Sequence, residues 1–309
     1  MSTAVETAPA PAPVAPAGKE LKKDAYKGRI HPDWCPGCGD FSVLAALQTA
    51  LFELGLKPHQ VVTVSGIGCS SNLPGFINTY GLHTLHGRGI AVGTGVKLGN
   101  HELTVICTGG DGDGYGIGGN HFLHIARRNV NLTYIVMNNQ IYGLTTGQVS
   151  PTSTKGMQTK TTPHGSVENP INPIPLAIVA GATYVARAFS GKQKHMVEIF
   201  KGAIRHKGFA LVDVFSPCVT FNKDNTYQFF NPRVKILEET GHDPTDFHKA
   251  MDEAYKWGDE IPIGLFWKRT DLPALEDLEP VLHDGQGPLA YRKLGITKEQ
   301  AEALIKEML

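Results

Sequence analysis

The stretch LTVICTGGDGDG, residues 103–114, is an apolar run that breaks into alternating Gly and Asp. Continuous apolar residues ended by glycines are the pattern of a strand buried on both faces and followed by a turn. A second run of the same kind, LTYIVMNN (132–139), ends on paired asparagines, with 25 residues between Gly112 and Asn138. That interval suits one helix, expected over Asn120–Asn129, crossing back to a parallel neighbour. Asp111 and Asn139 would then stand side by side at adjacent strand ends, where open parallel sheets bind ligands. Glycines let a backbone approach a phosphate, and Asp and Asn oxygens suit a hard cation such as Mg²⁺ held against a diphosphate. No GxxxxGK[ST] is present, and no GxGxxG stands at a first strand with an acid about 20 residues on, so a P-loop and a dinucleotide fold are both disfavoured.

The alternation extends outward in both directions. VVTVSG (61–66), TYVARA (183–188) and FALVDVFSP (209–217) read as further buried strands. Phe41, Leu44, Ala45, Leu47, Leu51 and Leu54 keep helical spacing, with Asp40 as the expected N-cap and Gly55 as the stop. PIPLAIVAG (173–181) and HMVEIFKGAIRH (195–206) read as two more helices. The expected class is α/β, a parallel sheet with helices on both faces. The loop 140–172 is long enough to be functional or to await a partner. After residue 231 the pattern turns to charged helices and one apolar run, IPIGLFW (261–267). The expected organisation is an Ala/Pro-rich disordered tail (1–18), a main domain (19–230) and a C-terminal extension (231–309) that docks a subunit.

Composition narrows the class. The 309 residues are 41% apolar and 19% charged with zero formal net charge, and no basic run stands out. Nucleic acid and acidic membrane surfaces are therefore not expected partners. No apolar stretch reaches bilayer length. The five cysteines are an odd number in a chain that reads as lacking an export signal, which favours a cytoplasmic protein using thiols for metal binding or catalysis.

Cys35 and Cys38 form a Cys-x-x-Cys pair in WCPGCGDFS (34–42), just before the first helix. Alone, the pair admits a redox dithiol, half a zinc site or two ligands of an iron–sulfur cluster. Cys69 and Cys218 follow the expected ends of two strands and can face the same sheet edge, whereas Cys107 lies inside LTVIC and reads as buried. Four thiolates complete an iron–sulfur cubane, and the same set satisfies structural zinc. His86 and Arg88, in TLHGRG (84–89), are candidates for contact with a diphosphate and with an anionic partner, against the alternative of a surface turn. Asp113 is a candidate for holding the Gly-Asp-Gly turn or a cofactor edge, while His121 and His124 read as packing residues on the next helix.

The GDG and NN motifs at this spacing resemble the signature of thiamine-diphosphate enzymes. With GIGCSSNLPGF (66–76), HGRGIAVGTGVKLGN (86–100), GGNHFLHIARRN (118–129), NNQIYGLTTGQVSPTS (138–153) and WCPGCGDFS, the chain is similar to the β subunit of 2-oxoacid:ferredoxin oxidoreductases, most of all their 2-oxoglutarate branch. The resemblance covers roughly residues 30–230. It implies thiamine diphosphate with Mg²⁺ on Asp111, Asn139 and the Ile141 carbonyl. It implies one [4Fe–4S] cluster on Cys35, Cys38, Cys69 and Cys218. The cofactor pocket would draw on Ile67, Gly68, Cys69, Ser70, His86, Gly87, Arg88, Gly110, Gly112, Asp113, Gly143 and Leu144, with His86 the candidate catalytic group. The implied reaction is coenzyme A-dependent oxidative decarboxylation of a 2-oxoacid, 2-oxoglutarate ahead of pyruvate, with ferredoxin as electron acceptor and the reverse direction allowed. The Glu that activates the aminopyrimidine in such enzymes has no place here, so an α subunit is expected to complete the site, in a dimer of αβ units. The alternatives are a pyruvate or broad-range 2-oxoacid:ferredoxin oxidoreductase β subunit, or a non-redox thiamine decarboxylase or carboligase subunit with structural zinc.

Overall fold

A computed structural model describes residues 21–293 and 295–308; the expected tail, residues 1–18, lies outside them. Eight strands form one sheet in the order β2-β1-β3-β4-β6-β5-β8-β7. They are β1 (Val61–Ser65), β2 (Tyr80–His83), β3 (Thr104–Gly110), β4 (Leu132–Asn138), β5 (Tyr184–Phe189), β6 (Phe209–Phe215), β7 (Val234–Ile236) and β8 (Ile261–Lys268). The helices are α1 (Asp40–Glu53), α2 (Leu73–Phe76), α3 (Gly89–Gly99), α4 (Gly119–Arg128), α5 (Pro173–Val179), α6 (Gln193–Arg205), α7 (Tyr227–Phe230), α8 (Phe247–Ala254), α9 (Leu275–Leu278) and α10 (Lys298–Met308). Among the described residues no helix is long and apolar enough to cross a membrane.

Alternation along the strands divides the core into two layers. Val61, Ile106, Ile135 and Val212 face one side and pack on α1 and α6 through Leu47, Leu51, Met196 and Phe200. Val62, Val105, Tyr134 and Leu211 face the other and pack on α4 and α5 through Phe122, Ile125, Ile174 and Ala177. Burial on both faces is why these strands read as unbroken apolar runs.

β3 and β4 are parallel and adjacent, with Gly110 opposite Met137, so Asp111 and Asn139 emerge from neighbouring strand ends as expected. Three points differ from the expectation. The sheet is not wholly parallel: β8 runs antiparallel to β5, with Val185 opposite Trp267. Consequently the apolar run at 261–267 is a sheet strand; Ile261, Ile263 and Phe266 are fully buried within this chain and not available to dock another subunit. Asp40 is the first residue of α1, not its cap, which is Gly39. Burial at the sheet edge gives the Asp40 carboxylate another partner, the Ser216 hydroxyl, which donates to it at 2.6 Å. Gly55 does end α1, in the left-handed region at φ 69°.

Candidate active site

Asp111 follows β3 and leads into one π-helical turn, Gly112–Ile117, that precedes α4. Such turns are rare and are frequently found at functional sites. The Asp111 carboxylate is 1% exposed. Its Oδ1 accepts the Asn139 backbone N–H at 3.3 Å, and its Oδ2 accepts the hydroxyls of Ser150 and Thr152. Burial pushes its pKa up to about 6 despite these donors. The Asn139 side chain turns back on its own loop, its Oδ1 accepting the Ile141 N–H at 3.1 Å.

Asp113 does different work. Its Oδ1 accepts the backbone N–H groups of Ile67, at 3.0 Å, and Gly87, at 2.7 Å, and so ties the loops after β1 and β2 to the turn after β3. Burial raises its pKa, offset by those two amides and by His86. The His86 Nδ1 lies 2.8 Å from Asp113 Oδ1, at an angle that makes no proper hydrogen bond. Two glycines are required by close approach: a Cβ on Gly66 would stand 2.0 Å from Asp113 Oδ2, and one on Gly112 would stand 2.1 Å from the Tyr142 ring.

A cavity of about 90 Å³ at these strand ends is lined by Ile67, Gly68, Cys69, Ser70, His86, Gly110, Asp111, Gly112, Asp113, Asn139, Ile141, Gly143 and Leu144. Two expected members are elsewhere. Gly87 contributes its amide to Asp113 without lining the cavity, and Arg88, the N-cap of α3, turns its guanidinium to His121. The cavity offers carboxylate, amide and main-chain oxygens beside small residues. That donor chemistry fits a hard cation bridging protein to diphosphate.

The cysteines meet next door. Gly39 N–H donates to Pro217 O at 3.3 Å, joining the Cys-x-x-Cys turn to the Cys218 segment. Trp34 Nε1 donates to Cys69 O at 2.7 Å, adding the third segment. Cys35, Cys38, Cys69 and Cys218 line one cavity of about 240 Å³. Among the described residues, no three His, Cys, Asp or Glu side chains converge as a single ion requires. By donor chemistry four thiols around one chamber fit an iron–sulfur cluster, and the same donors would also suit zinc. Burial raises the pKa of Cys38 and pushes Cys69 up to about 11, with the Asp40 carboxylate and neighbouring thiols adding to both. Cys107 is fully buried, as the sequence implied.

The two cavities share Cys69, Asn139, Gly143 and Leu144. Asn222 reinforces the junction, its Nδ2 donating to Asn139 O at 2.9 Å. Ser150, Thr152, Ser216 and Asn222 escaped the sequence reading. The one signal for the first two was an abundance of Ser and Thr in a long loop.

Residues 60–214 match the family described as thiamine pyrophosphate enzyme, C-terminal TPP binding domain. Residues 218–284 match the family of C-terminal segments of the pyruvate ferredoxin oxidoreductase beta subunit. The chain is 49% identical to 2-oxoacid:ferredoxin oxidoreductase 1, subunit beta, of Aeropyrum pernix, over 79% of this chain and 80% of that protein. It is 46% identical to the 2-oxoglutarate synthase subunit KorB of Methanocaldococcus jannaschii, over 77% of this chain and 86% of that one. A solved structure of 2-oxoglutarate:ferredoxin oxidoreductase from Magnetococcus marinus, with 2-oxoglutarate, coenzyme A and succinyl-CoA bound, superposes with a TM-score of 0.83 at 44% identity, over 93% of this chain and 97% of that chain. With its thiamine-type strand ends and four-thiol chamber sharing a wall, the chain belongs to the family of 2-oxoacid:ferredoxin oxidoreductase β subunits.

Proposed function

We propose that this chain, joined to an α subunit, converts 2-oxoglutarate, coenzyme A and two oxidised ferredoxins to succinyl-CoA, carbon dioxide, two reduced ferredoxins and a proton, in the cytoplasm. The observation that carries the reading is the shared wall: Cys69, Asn139, Gly143 and Leu144 line both the oxygen-rich cavity and the four-thiol cavity. When bound, thiamine diphosphate supplies an electron sink for decarboxylation and a [4Fe–4S] cluster accepts electrons one at a time.

The residues of this chain bind and orient. Asp111, Asn139 and the Ile141 carbonyl would hold Mg²⁺, and Ser150 and Thr152 fix which way the Asp111 carboxylate faces. Cys35, Cys38, Cys69 and Cys218 would hold the cluster. Asp113 keeps the loops carrying Ile67 and Gly87 closed over the turn. His86, with Nδ1 unbonded on the Asp113 side, is placed to hold or move a proton at the cavity wall. Gly110, Gly112, Gly68 and Ser70 keep that wall thin. The α subunit would supply the pyrimidine side and much of the substrate pocket. The exposed C-terminal helix α10, with Leu304, Ile305 and Met308 outward, remains for subunit docking.

The match of residues 218–284 to a pyruvate enzyme's C-terminal segment keeps pyruvate as the second substrate reading. Co-expression of α and β followed by ferredoxin reduction with a panel of 2-oxoacids tests both. Dependence on coenzyme A with 2-oxoglutarate preferred supports the proposal; a pyruvate preference reverses the substrate order, and no reduction with any 2-oxoacid overturns it.

A further inference from the structure

A third chamber, of about 290 Å³, lies between the ends of β4, β5 and β6 and the loop before α5, and shares no residue with the two cavities above. Arg187 of β5 lines it at 2% exposure. Its Nε donates to Asp213 Oδ2 at 3.3 Å and its Nη2 to Asn172 Oδ1 at 3.3 Å, while the buried Nη1 has no partner. The guanidinium is held flat by the rings of Phe215 and Phe266, 5.0 and 5.5 Å away. Asp213 leans elsewhere as well, accepting Tyr115 Oη and Asn138 Nδ2 at 3.1 and 3.0 Å. A buried guanidinium N–H without an acceptor is costly, and a bound acceptor removes that cost.

A second orphan faces the same chamber. Gln140 is oriented by its Nε2 donating to Thr152 O at 3.1 Å, which leaves its buried Oε1 an acceptor without a donor. Lys155 and Lys256 also line the chamber, and among the described residues no acid pairs with Lys155, whereas Lys256 is paired with Glu253. The arginine and these rim cations outnumber Asp213 and Glu253, so the chamber carries a positive balance. The remaining wall is apolar, with Trp257 at the rim 46% exposed.

From these features we infer that the chamber is a binding site for a small hydroxy-carboxylate with an apolar body. One carboxylate oxygen accepts from Arg187 Nη1, the hydroxyl donates to Gln140 Oε1, and the body lies against Phe215 and Trp257. The chamber shares no lining residue with the cofactor and thiol cavities, so its failure leaves the oxidoreductase reading untouched. Arg187 bonds Asp213, Asp213 bonds Asn138, and Thr152 Oγ1 lies within hydrogen-bond distance of both Asn138 Oδ1 and Asp111 Oδ2, with one proton to give.

The test is calorimetric titration of the full chain in complex with its α subunit, with mandelate as probe. Mandelate carries a phenyl body, a hydroxyl and a carboxylate. The expected result is saturable binding of one mandelate per β chain, with mandelamide binding at least about tenfold more weakly. Arg187→Lys and Trp257→Ala should each weaken mandelate by about tenfold or more, and saturating 2-oxoglutarate should leave its affinity unchanged. If Arg187→Lys fails to fold, Trp257→Ala at the exposed rim decides alone. Absence of saturable binding, equal affinity for mandelamide, undiminished binding by the folded variants, or displacement by 2-oxoglutarate overturns the assignment.

Discussion

The backbone N–H of Asn139 donates to Asp111 Oδ1 at 3.3 Å, joining the ends of two parallel strands through main chain on one side and a buried carboxylate on the other. Both residues line one cavity, and Asp111 is the proposed anionic ligand of Mg²⁺ there. Replacing Asp111 by Ala should lower the affinity of the αβ complex for thiamine diphosphate in Mg²⁺ by roughly a hundredfold or more. Cofactor titration at several Mg²⁺ concentrations measures it, and an unchanged affinity would show that Asp111 holds no metal.

Ser150 and Thr152 orient that carboxylate without lining the cavity themselves. The double change Ser150→Ala, Thr152→Val should weaken Mg²⁺-dependent cofactor binding by about 10–100-fold, the range for residues that orient a metal ligand. The same titration reads it; parity with the wild type would remove these hydroxyls from the site.

The Gly112→Ala change sets a methyl against the Tyr142 ring, where the present gap to an added Cβ is 2.1 Å. The expected cost is about 1–3 kcal/mol of stability, from overpacking at a rigid turn. Thermal unfolding of the single variant and of Gly112→Ala, Tyr142→Leu should show partial recovery in the double. Equal losses in both would place the strain elsewhere.

His206 gives a pH signature remote from the chemistry. Burial, with Lys268 nearby, lowers its pKa to about 4, and its Nε2 lies 2.7 Å from Thr183 Oγ1. The folded state therefore prefers neutral imidazole. Below the ordinary value of 6.5 the unfolded chain takes up a proton that the folded chain refuses, so stability falls until about pH 4, where both are protonated. The loss across that window is on the order of 2 kcal/mol after allowance for solvent screening. Denaturant unfolding of wild type and His206→Gln across the window checks it: the variant should lose less stability, and parallel curves would contradict the assignment.

The strands around the site were legible because burial on both faces leaves unbroken apolar runs, and the Asp111–Asn139 pairing because one crossover helix fixes the interval. β2 was not: Tyr80–His83 is an exposed edge strand with no apolar pattern to read. IPIGLFWK was visible as an apolar run, but its antiparallel partner β5 lies far away in sequence, and nothing local reveals that pairing. Asp40 illustrates a competing force. An acid opening a helix signals a cap, yet the turn from Pro217 draws this one into the interior against Ser216, where its pKa rises to about 6. Ser150 and Thr152 depend on how a long loop folds back, which residue type alone does not encode.

Cys35, Cys38, Cys69 and Cys218 are proposed to cage one iron–sulfur cluster against the wall they share with the thiamine site. The most direct measurement is the iron, acid-labile sulfide and zinc content of the anaerobically purified αβ complex, compared across Cys→Ala changes at all five cysteines. The expected result is about four irons and four sulfides per β chain, with no stoichiometric zinc, loss of iron in each of the four cage variants and full retention in Cys107→Ala. Stoichiometric zinc without iron, or an intact cluster after loss of Cys218, would contradict it.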